Sequence, residues 1–317
     1  MYDDKDVDQG PAMDGTASAE HEQPATAGTD ERPEPELMIV VPVYNEAGAI
    51  EEAVERMDKM IRESGIDAEV IWVDDGSTDG SAEILEKLGA NVYRCPENRG
   101  YGHALKTGIR NTRSKFVAIT DADGTYPSED IPRMLEMARS VDMVVGDRGK
   151  AMSNVPLVRK PAKWLLNKTA NLLAGHKIND LNSGLRVFRR ESLEKFLDLL
   201  PDGFSFTTTI TLCMFGSGHK VVYTPIEYGR RVGHSKIRPT DFFRFMMLVV
   251  RIVTLFSPLR VFMPLGAALF FLGLVKLAYD ITQWNLSETA VFAFLAALMI
   301  WSFGLLADMI SRLHLRP

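Results

Sequence analysis

The chain is poor in cysteine: Cys95 and Cys213 are the only two in 317 residues, and they fall in no Cys-x-x-Cys or Cys/His spacing. Two free thiols in a reducing compartment are therefore expected. No Gly-x-Gly-x-x-Gly follows the first apolar run and no Gly-Lys-Ser/Thr loop occurs, so dinucleotide-binding and P-loop classes lack their fingerprints. No internal repeat is visible. Residues 1–36 have no aromatic besides Tyr2, no apolar period and no apolar stretch of the kind a secretory signal needs. They hold eleven carboxylates against Lys5 and Arg32, a charge of −9 out of a chain total of −6, which leaves +3 for everything after them. The acidic balance belongs to this tail, which is expected to be disordered, and nothing specific supports reading it as an interaction arm.

Beyond the tail the chain is regular. Leu37 to Val43 is a continuous apolar run, as a buried parallel strand requires, and it ends in Tyr44-Asn45-Glu46. Ala47 to Arg62 carries Ile50, Val54, Met57 and Ile61 at helical spacing. Glu69 to Val73 gives a second strand that stops at Asp74-Asp75-Gly76-Ser77-Thr78-Asp79, where another helix begins. Asn91 to Arg94, Phe116 to Thr120 and Val141 to Val145 read as further strands. Gly102 to Thr112 reads as a helix, and so does a segment from Ser128 through Met137, capped by Ser128 with Glu129 and Asp130 in its first turn. Alternating strands and helices call for an α/β fold, a mostly parallel sheet with helices on both faces. Ligands of such sheets sit beyond the carboxyl ends of the strands. Five polar clusters fall there: Tyr44-Asn45-Glu46, Asp74-Asp75, Asn98-Arg99-Gly100, Asp121 with Asp123, and Asp147-Arg148.

Among these, the run Phe116 to Pro127 organises the rest, because its strand leads into Asp121 and Asp123. Alternation at a strand tip sends residues i and i+2 to one side, so both carboxylates are expected to face one hard cation. Mg2+ or Mn2+ held in this way keeps coordination positions for diphosphate oxygens. Asp-x-Asp alone is a weak signal, and the neighbouring loops give it weight.

Val41-Pro42-Val43-Tyr44-Asn45-Glu46, Val73-Asp74-Asp75-Gly76-Ser77-Thr78-Asp79, Asn98-Arg99-Gly100 and Asp121-Ala122-Asp123, in that order, closely resemble the family 2 glycosyltransferases of Rossmann-like GT-A fold. The resemblance covers residues 37 to 240. Within the family, Asp180-Leu181-Asn182-Ser183-Gly184-Leu185-Arg186 and Tyr228 to Lys236 look like the polyprenyl-phosphate branch, which includes dolichol-phosphate mannose synthase and undecaprenyl-phosphate sugar transferases. The resemblance implies that Pro42, Tyr44 and Glu46 border the donor nucleotide, with Lys236 on the same side. It also implies that Asp74 or Asp75 reads base and ribose, and that Asp121 and Asp123 hold the metal on the diphosphate. Ser183 is implied on the acceptor side. Two departures stand out: Gly124 and Thr125 replace the Leu-Gln that often follows the metal motif, and His234 stands where several relatives have Glu.

Between Asp147 and Asp180 no acidic residue occurs, whereas Arg148, Lys150, Arg159, Lys160, Lys163, Lys168 and Lys177 do; Arg230, Arg231, Lys236 and Arg238 form a second basic cluster. Most of these lysines read as a solvated face. Position singles out Arg148, on the metal loop's strand edge, and Arg159, Arg230 and Lys236, which flank segments expected to close over the crevice. A polyprenyl phosphate with a second pKa of about 6 is largely dianionic near neutral pH. It needs cations more than a general base, since its oxygen is already a nucleophile. Neither His103, in the first turn of a helix, nor His176 lies at ligand spacing with another histidine, and Trp164, Leu165, Leu172 and Leu173 read as a helix stripe.

Beyond residue 240 the pattern becomes that of a membrane protein. Asp241 to Phe256 is apolar, with Arg244 and Arg251 near one face, as in a helix lying at an interface. Pro258 breaks it, and Val261 to Ile281 and Thr289 to Ile310 are each long enough to cross about 30 Å of hydrocarbon. Asp280 to Glu288 lacks Lys and Arg, while Arg251 and Arg260 precede the first span and Arg312 and Arg316 follow the second, so the catalytic domain and C-terminus are expected in the cytoplasm. Lys276 is expected to snorkel outward and Asp308 to pair with Arg312.

The expected organisation is thus a tail (1–36), a catalytic domain (37–239), an interfacial helix (240–257) and a two-span anchor (258–317). The expected activity is metal-dependent, inverting transfer of a sugar from a UDP- or GDP-sugar to a dolichyl or undecaprenyl phosphate. Asp121, Asp123 and Arg148 would be catalytic, and Arg148, Arg159, Ser183 and Arg230 would hold the acceptor phosphate. Membrane lipid is an expected partner and nucleic acid is not; a homo-oligomer is left open. The alternatives are transfer to a hydroxyl of a lipid-linked glycan, and a non-catalytic scaffold that binds nucleotide sugars.

Overall fold

The structure, a computed structural model, describes residues 34–149, 178–203, 205–229, 247, 254, 258–284 and 287–314, with 312–314 by backbone only. The expectations for the tail to residue 33, the basic stretch around Arg159, Lys236 with its neighbours, and nearly all of the interfacial helix lie outside these residues.

The described elements are β1 (Leu37–Val43), α1 (Ile50–Ser64), β2 (Ala68–Asp74), α2 (Ser81–Lys87), β3 (Val92–Arg94), α3 (Tyr101–Arg110), β4 (Phe116–Ile119), α4 (Ile131–Ala138), β5 (Met143–Asp147), β6 (Arg186–Arg189), α5 (Arg190–Glu194), α6 (Phe206–Gly216) and β7 (Val221–Pro225). Among the described residues the strands make one seven-stranded sheet in the order β3-β2-β1-β4-β6-β5-β7. Every pairing is parallel except those of β6, which runs against β4 and β5. The carboxyl ends of the other strands therefore share one edge, and the segment entering β6 arrives at that same edge.

Alternation along the strands divides the core. Leu37, Ile39 and Val41 of β1 pack with Ile50, Val54 and Met57 of α1 and with Ile131 and Met134 of α4. Met38 and Val40 face the opposite side, where α3 supplies Leu105 and Ile109 and α6 supplies Phe206 and Ile210. Both faces of the sheet are thereby covered, which is why its strands read as continuous apolar runs. Each fully buried side chain of this size contributes about 1.5–3 kcal/mol relative to exposure.

Ser128 departs from expectation. It opens a short 3-10 turn, Ser128–Asp130, ahead of α4, with no side-chain cap. Its hydroxyl is buried and, among the described residues, makes no hydrogen bond. Ile131 and Pro132 start the helix instead, proline being at home where an N–H has no partner to lose.

Two long helices close the chain, α7 (Leu259–Thr282) and α8 (Glu288–His314). Both are long and apolar enough to cross a membrane, and most of their apolar surface is left exposed. Their mutual seam is small: Gly266, Gly273 and Asp280 are buried on α7, and Ala290, Ala297, Gly304 and Ser311 on α8. Both series step by seven residues, the period of a left-handed pair. A side chain on Gly304 would come within 2.6 Å of Phe262, and one on Gly273 within 3.0 Å of Phe294. At the turn, Asp280 accepts from Ser287 N at 3.1 Å and also bonds the Ser287 hydroxyl and Lys276. Lys276, expected to snorkel outward, is thus tied to Asp280.

Candidate active site

The donor-side loops are bound to one another by backbone amides and short polar side chains. Asn45 adopts a left-handed backbone (φ 57°), and its side-chain oxygen accepts from Thr78 N at 2.9 Å. Asn45 N, Glu46 N and Ala47 N donate to Ser77 Oγ, Ser81 Oγ and Asp79 Oδ2 at 2.9–3.0 Å. Burial works to raise the Asp79 carboxyl, but the Ser81 hydroxyl and the Ala47 and Ser81 amides outweigh it and hold it below the ordinary range. Tyr44 is left 46% exposed, a ring open to a ligand above the loop.

Asp74 and Asp75 are both 2% exposed. Asp74 accepts from Ser77 N at 3.2 and 3.3 Å, and Asp75 accepts from Arg99 N at 3.1 Å and Gly100 N at 2.7 Å. The second pair of bonds fixes the Asn98-Arg99-Gly100 loop against the end of β2, so Asp75 has a structural task in addition to any contact with a nucleotide.

Strand β4 ends at Ile119, and residues 122–124 are turn. The expected alternation therefore does not reach Asp121 and Asp123, and the local turn sets their orientation. Tyr101, half-buried at the start of α3, donates its hydroxyl to Asp121 Oδ1 at 3.0 Å. Burial, then the charge of Asp121, pushes the Tyr101 phenol well above its usual value, so it stays a donor. Asp123 Oδ1 accepts from Thr125 N at 3.1 Å and from the Thr125 hydroxyl at 2.6 Å. Thr125 thus holds the second carboxylate. Gly124 sits between at φ 69°, and its carbonyl accepts from Arg56 Nη1 at 3.2 Å.

The segment entering β6 walls this turn. Gly184 N donates to Tyr126 Oη at 2.7 Å, and a Cβ on Gly184 would lie 2.9 and 3.0 Å from the two Asp121 oxygens. Arg186, with no exposed surface, clamps the segment from beneath: Nε donates to Ser183 O (2.9 Å), Nη2 to Leu181 O (3.0 Å) and Nη1 to Thr211 Oγ1 (2.6 Å). Burial holds its guanidinium below the usual arginine value. Ser183 is itself fully buried, its hydroxyl without a partner among the described residues.

Arg148 leaves β5 on the expected edge, and its guanidinium grips a carboxylate of its own. Nε donates to Asp180 Oδ2 at 2.7 Å and Nη2 to Asp180 Oδ1 at 2.9 Å, a bidentate fork, while its plane lies 5.3 Å from the Tyr228 ring. Burial works to raise the Asp180 carboxyl, but the Arg148 hydrogen bonds and charge hold it below the ordinary range. The structure thus brings together Pro42, Tyr44, Glu46, Asp74, Asp75, Asp121, Asp123, Arg148 and Ser183 on one edge of the sheet. Arg159, Arg230 and Lys236 lie outside the described residues. Tyr101, Tyr126, Gly184, Arg186 and Asp180 received no site role from the sequence; the motif Asp180 to Arg186 marked three of them.

A nearly parallel sheet with acidic loops along one edge and an Asp-x-Asp turn at its centre is the frame of a GT-A nucleotide-sugar transferase. Residues 38–197 match glycosyl transferase family 2, and residues 257–313 match the GtrB C-terminal hairpin. The dolichyl-phosphate hexose transferase of Haloferax volcanii is 32% identical over 64% of this chain and 87% of its own length. The undecaprenyl-phosphate 4-deoxy-4-formamido-L-arabinose transferase of Klebsiella pneumoniae is 28% identical over 89% and 90%. Glucosyl-3-phosphoglycerate synthase from Mycobacterium tuberculosis, solved with Mn2+, UDP-glucose and phosphoglyceric acid, aligns with a TM-score of 0.55 at 19% identity, over 69% of this chain and 80% of that one; it shares the fold. The chain belongs to glycosyl transferase family 2 and is a glycosyltransferase, and its resemblance to the polyprenyl-phosphate branch is borne out by the two relatives.

Proposed function

We propose that this enzyme moves a sugar from a nucleoside-diphosphate donor to a polyprenyl phosphate at the cytoplasmic face of a membrane, with inversion at the anomeric carbon. One observation carries the reading: the Asp121–Asp123 turn stands at the sheet's ligand edge in a chain that also bears an apolar hairpin matching the GtrB C-terminal hairpin. The relatives named for dolichyl and undecaprenyl phosphate support the acceptor class.

The donor set of the turn, two carboxylates presented by one loop, fits a hard divalent cation such as Mg2+ or Mn2+. When bound, such an ion neutralises charge on the departing diphosphate. The protein's own part is positioning. Tyr101 and Thr125 fix the two carboxylates, and the loops around Tyr44, Asp74 and Asp75 hold the nucleoside. Arg148, set in place by Asp180, faces the acceptor phosphate, with Arg159, Arg230 and Ser183 assigned to the same side. A lipid phosphate needs no proton removed before it attacks, so orientation and charge neutralisation do the catalytic task. Attack opposite the diphosphate then inverts the sugar. Arg260 at the start of α7 and Arg312 and Arg316 at the chain's end, against a turn without Lys or Arg, support a catalytic domain and C-terminus in the cytoplasm.

The test is to incubate the purified full-length protein with radiolabelled UDP-, GDP- and dTDP-sugars, Mn2+ and a polyprenyl phosphate in detergent. An acid-labile, phosphodiester-linked lipid sugar formed without any glycan acceptor is the expected product. Label entering only a lipid-linked glycan would replace this reading with hydroxyl transfer.

A further inference from the structure

A second group of metal-ligating side chains lies on the same sheet edge, at the ends of β2 and β3. Asp75, Cys95 and His103 bring a carboxylate oxygen, a thiol sulfur and a ring nitrogen within 4.8 Å of one another. Among the described residues no other three such side chains converge in this way. Strand β1 separates β2 from β4, so the cluster stands about 10 Å along the sheet from the Asp121 turn. The first turn of α3 spans the gap, with Tyr101 on Asp121 and His103 beside Asp75.

Asp74 and Asp75 are both buried, and among the described residues neither forms an ion pair with a lysine or arginine. The nearest side-chain nitrogen to Asp75 in this corner is His103 Nδ1 at 3.7 Å, too far for a hydrogen bond, and among the described residues that buried nitrogen has no hydrogen-bond partner. Buried carboxylates are ordinarily paired or bound to a metal. Two buried carboxylates side by side attract a cation, and a coordinated thiol gives up its proton.

We propose that Asp75, Cys95 and His103 form a three-ligand site for a zinc-class cation, and that its occupancy excludes the donor nucleotide. The second clause rests on the reading of Asp75 as a nucleotide contact. One oxygen, one nitrogen and one sulfur suit Zn2+ and not Mg2+ or Mn2+, so the two metal sites of the crevice take different ions. Tetrahedral zinc sets its ligand atoms roughly 3.3–3.7 Å apart, which the cluster reaches by closing about 1 Å. Arg99 N and Gly100 N orient the carboxylate as outer-shell donors. On binding, the thiol proton leaves to solvent and a sulfur–metal bond forms, with no change in oxidation state.

Titrating the purified full-length protein with Co2+ reads the site directly through a thiolate-to-cobalt charge-transfer band, which Zn2+ then bleaches. Cys95→Ser is expected to abolish the band and weaken Zn2+ binding at least tenfold. His103→Gln serves the same purpose if the first variant does not fold. Binding of UDP and GDP, measured by calorimetry at fixed Mn2+, is expected to weaken at least tenfold when Zn2+ is added to the wild type and to be unaffected by it in Cys95→Ser. Absence of the cobalt band, or equal Zn2+ affinity in wild type and both variants, overturns the site. Zn2+ binding with unchanged nucleotide affinity overturns the exclusion. A protein that binds neither nucleotide refutes the assigned role of Asp75 and with it the exclusion, while the cobalt band still decides the site.

Discussion

Arg148 faces the crevice only as Asp180 allows. The pair is 15% and 1% exposed, so removing one partner strands a buried charge, a loss of about 3–5 kcal/mol. Asp180→Asn should therefore lower stability at pH 7 by about that amount and raise the KM for polyprenyl phosphate about tenfold while leaving the donor KM unchanged. The pH dependence follows from the direction of the shift. A carboxyl held below its unfolded value of about 3.9 stabilises the fold fully above that pH and ceases to do so as pH falls through the lower folded value. Urea unfolding followed from pH 7 down to about 2 should show wild type and Asp180→Asn converging only below about pH 4; coincident curves throughout would show that the pair contributes nothing, and curves that stay offset at the acid end would show that its contribution is not the ionised carboxylate. Asp123→Ala, by contrast, should leave stability nearly unchanged and cut transfer by about 100-fold or more. Paramagnetic resonance of added Mn2+ checks the cause, because the variant should lose bound ion. Lost turnover in a folded Asp123→Ala rules out the scaffold reading, whereas full turnover would show that Asp123 does not hold the catalytic ion.

The segment entering β6 acts as an element, because it sets the back wall of the metal turn. Gly184→Ala would drive a methyl to within 2.9–3.0 Å of Asp121 and 3.0 Å of the Tyr126 ring. Overpacking of this kind costs about 1–3 kcal/mol, and here it also moves a metal carboxylate. The variant should therefore need more Mn2+ for half-maximal activity, and unchanged Mn2+ dependence would show that Asp121 is not touched. Much of this architecture is legible in sequence: the apolar runs Leu37 to Val43 and Phe116 to Ile119 could only be buried strands, and the polar residues after them had to line one edge. Strands β6 and β7 were not legible. Arg186-Val187-Phe188-Arg189 begins with an arginine that is wholly buried, against the usual exposure of that side chain, and only the carbonyls of Leu181 and Ser183 and the Thr211 hydroxyl make its burial possible. The alternation argument for Asp121 and Asp123 failed for a related reason, since turn geometry depends on contacts such as Tyr101 to Asp121 that no local pattern encodes.

For the whole molecule, the decisive question is which side of the membrane each part occupies. The turn after α7 is open, with Gln283 exposed, and Glu97 is exposed on the catalytic domain near the crevice loops. The native thiols give little background: Cys95 and Cys213 are buried, and their thiols are pushed up to about 11 and about 12, mainly by burial. Gln283→Cys and Glu97→Cys can therefore be made in the otherwise natural chain. A membrane-impermeant maleimide applied to intact cells should label Gln283→Cys alone, and Glu97→Cys should react only after the membrane is opened. The donor is charged, and the acceptor phosphate must reach the same crevice, so the enzyme works only if that crevice and the supply of nucleotide sugar share a compartment. Labelling of Glu97→Cys in intact cells would put the catalytic domain outside, reverse the orientation drawn from the arginines, and remove the cytoplasmic donor pool from the proposed reaction.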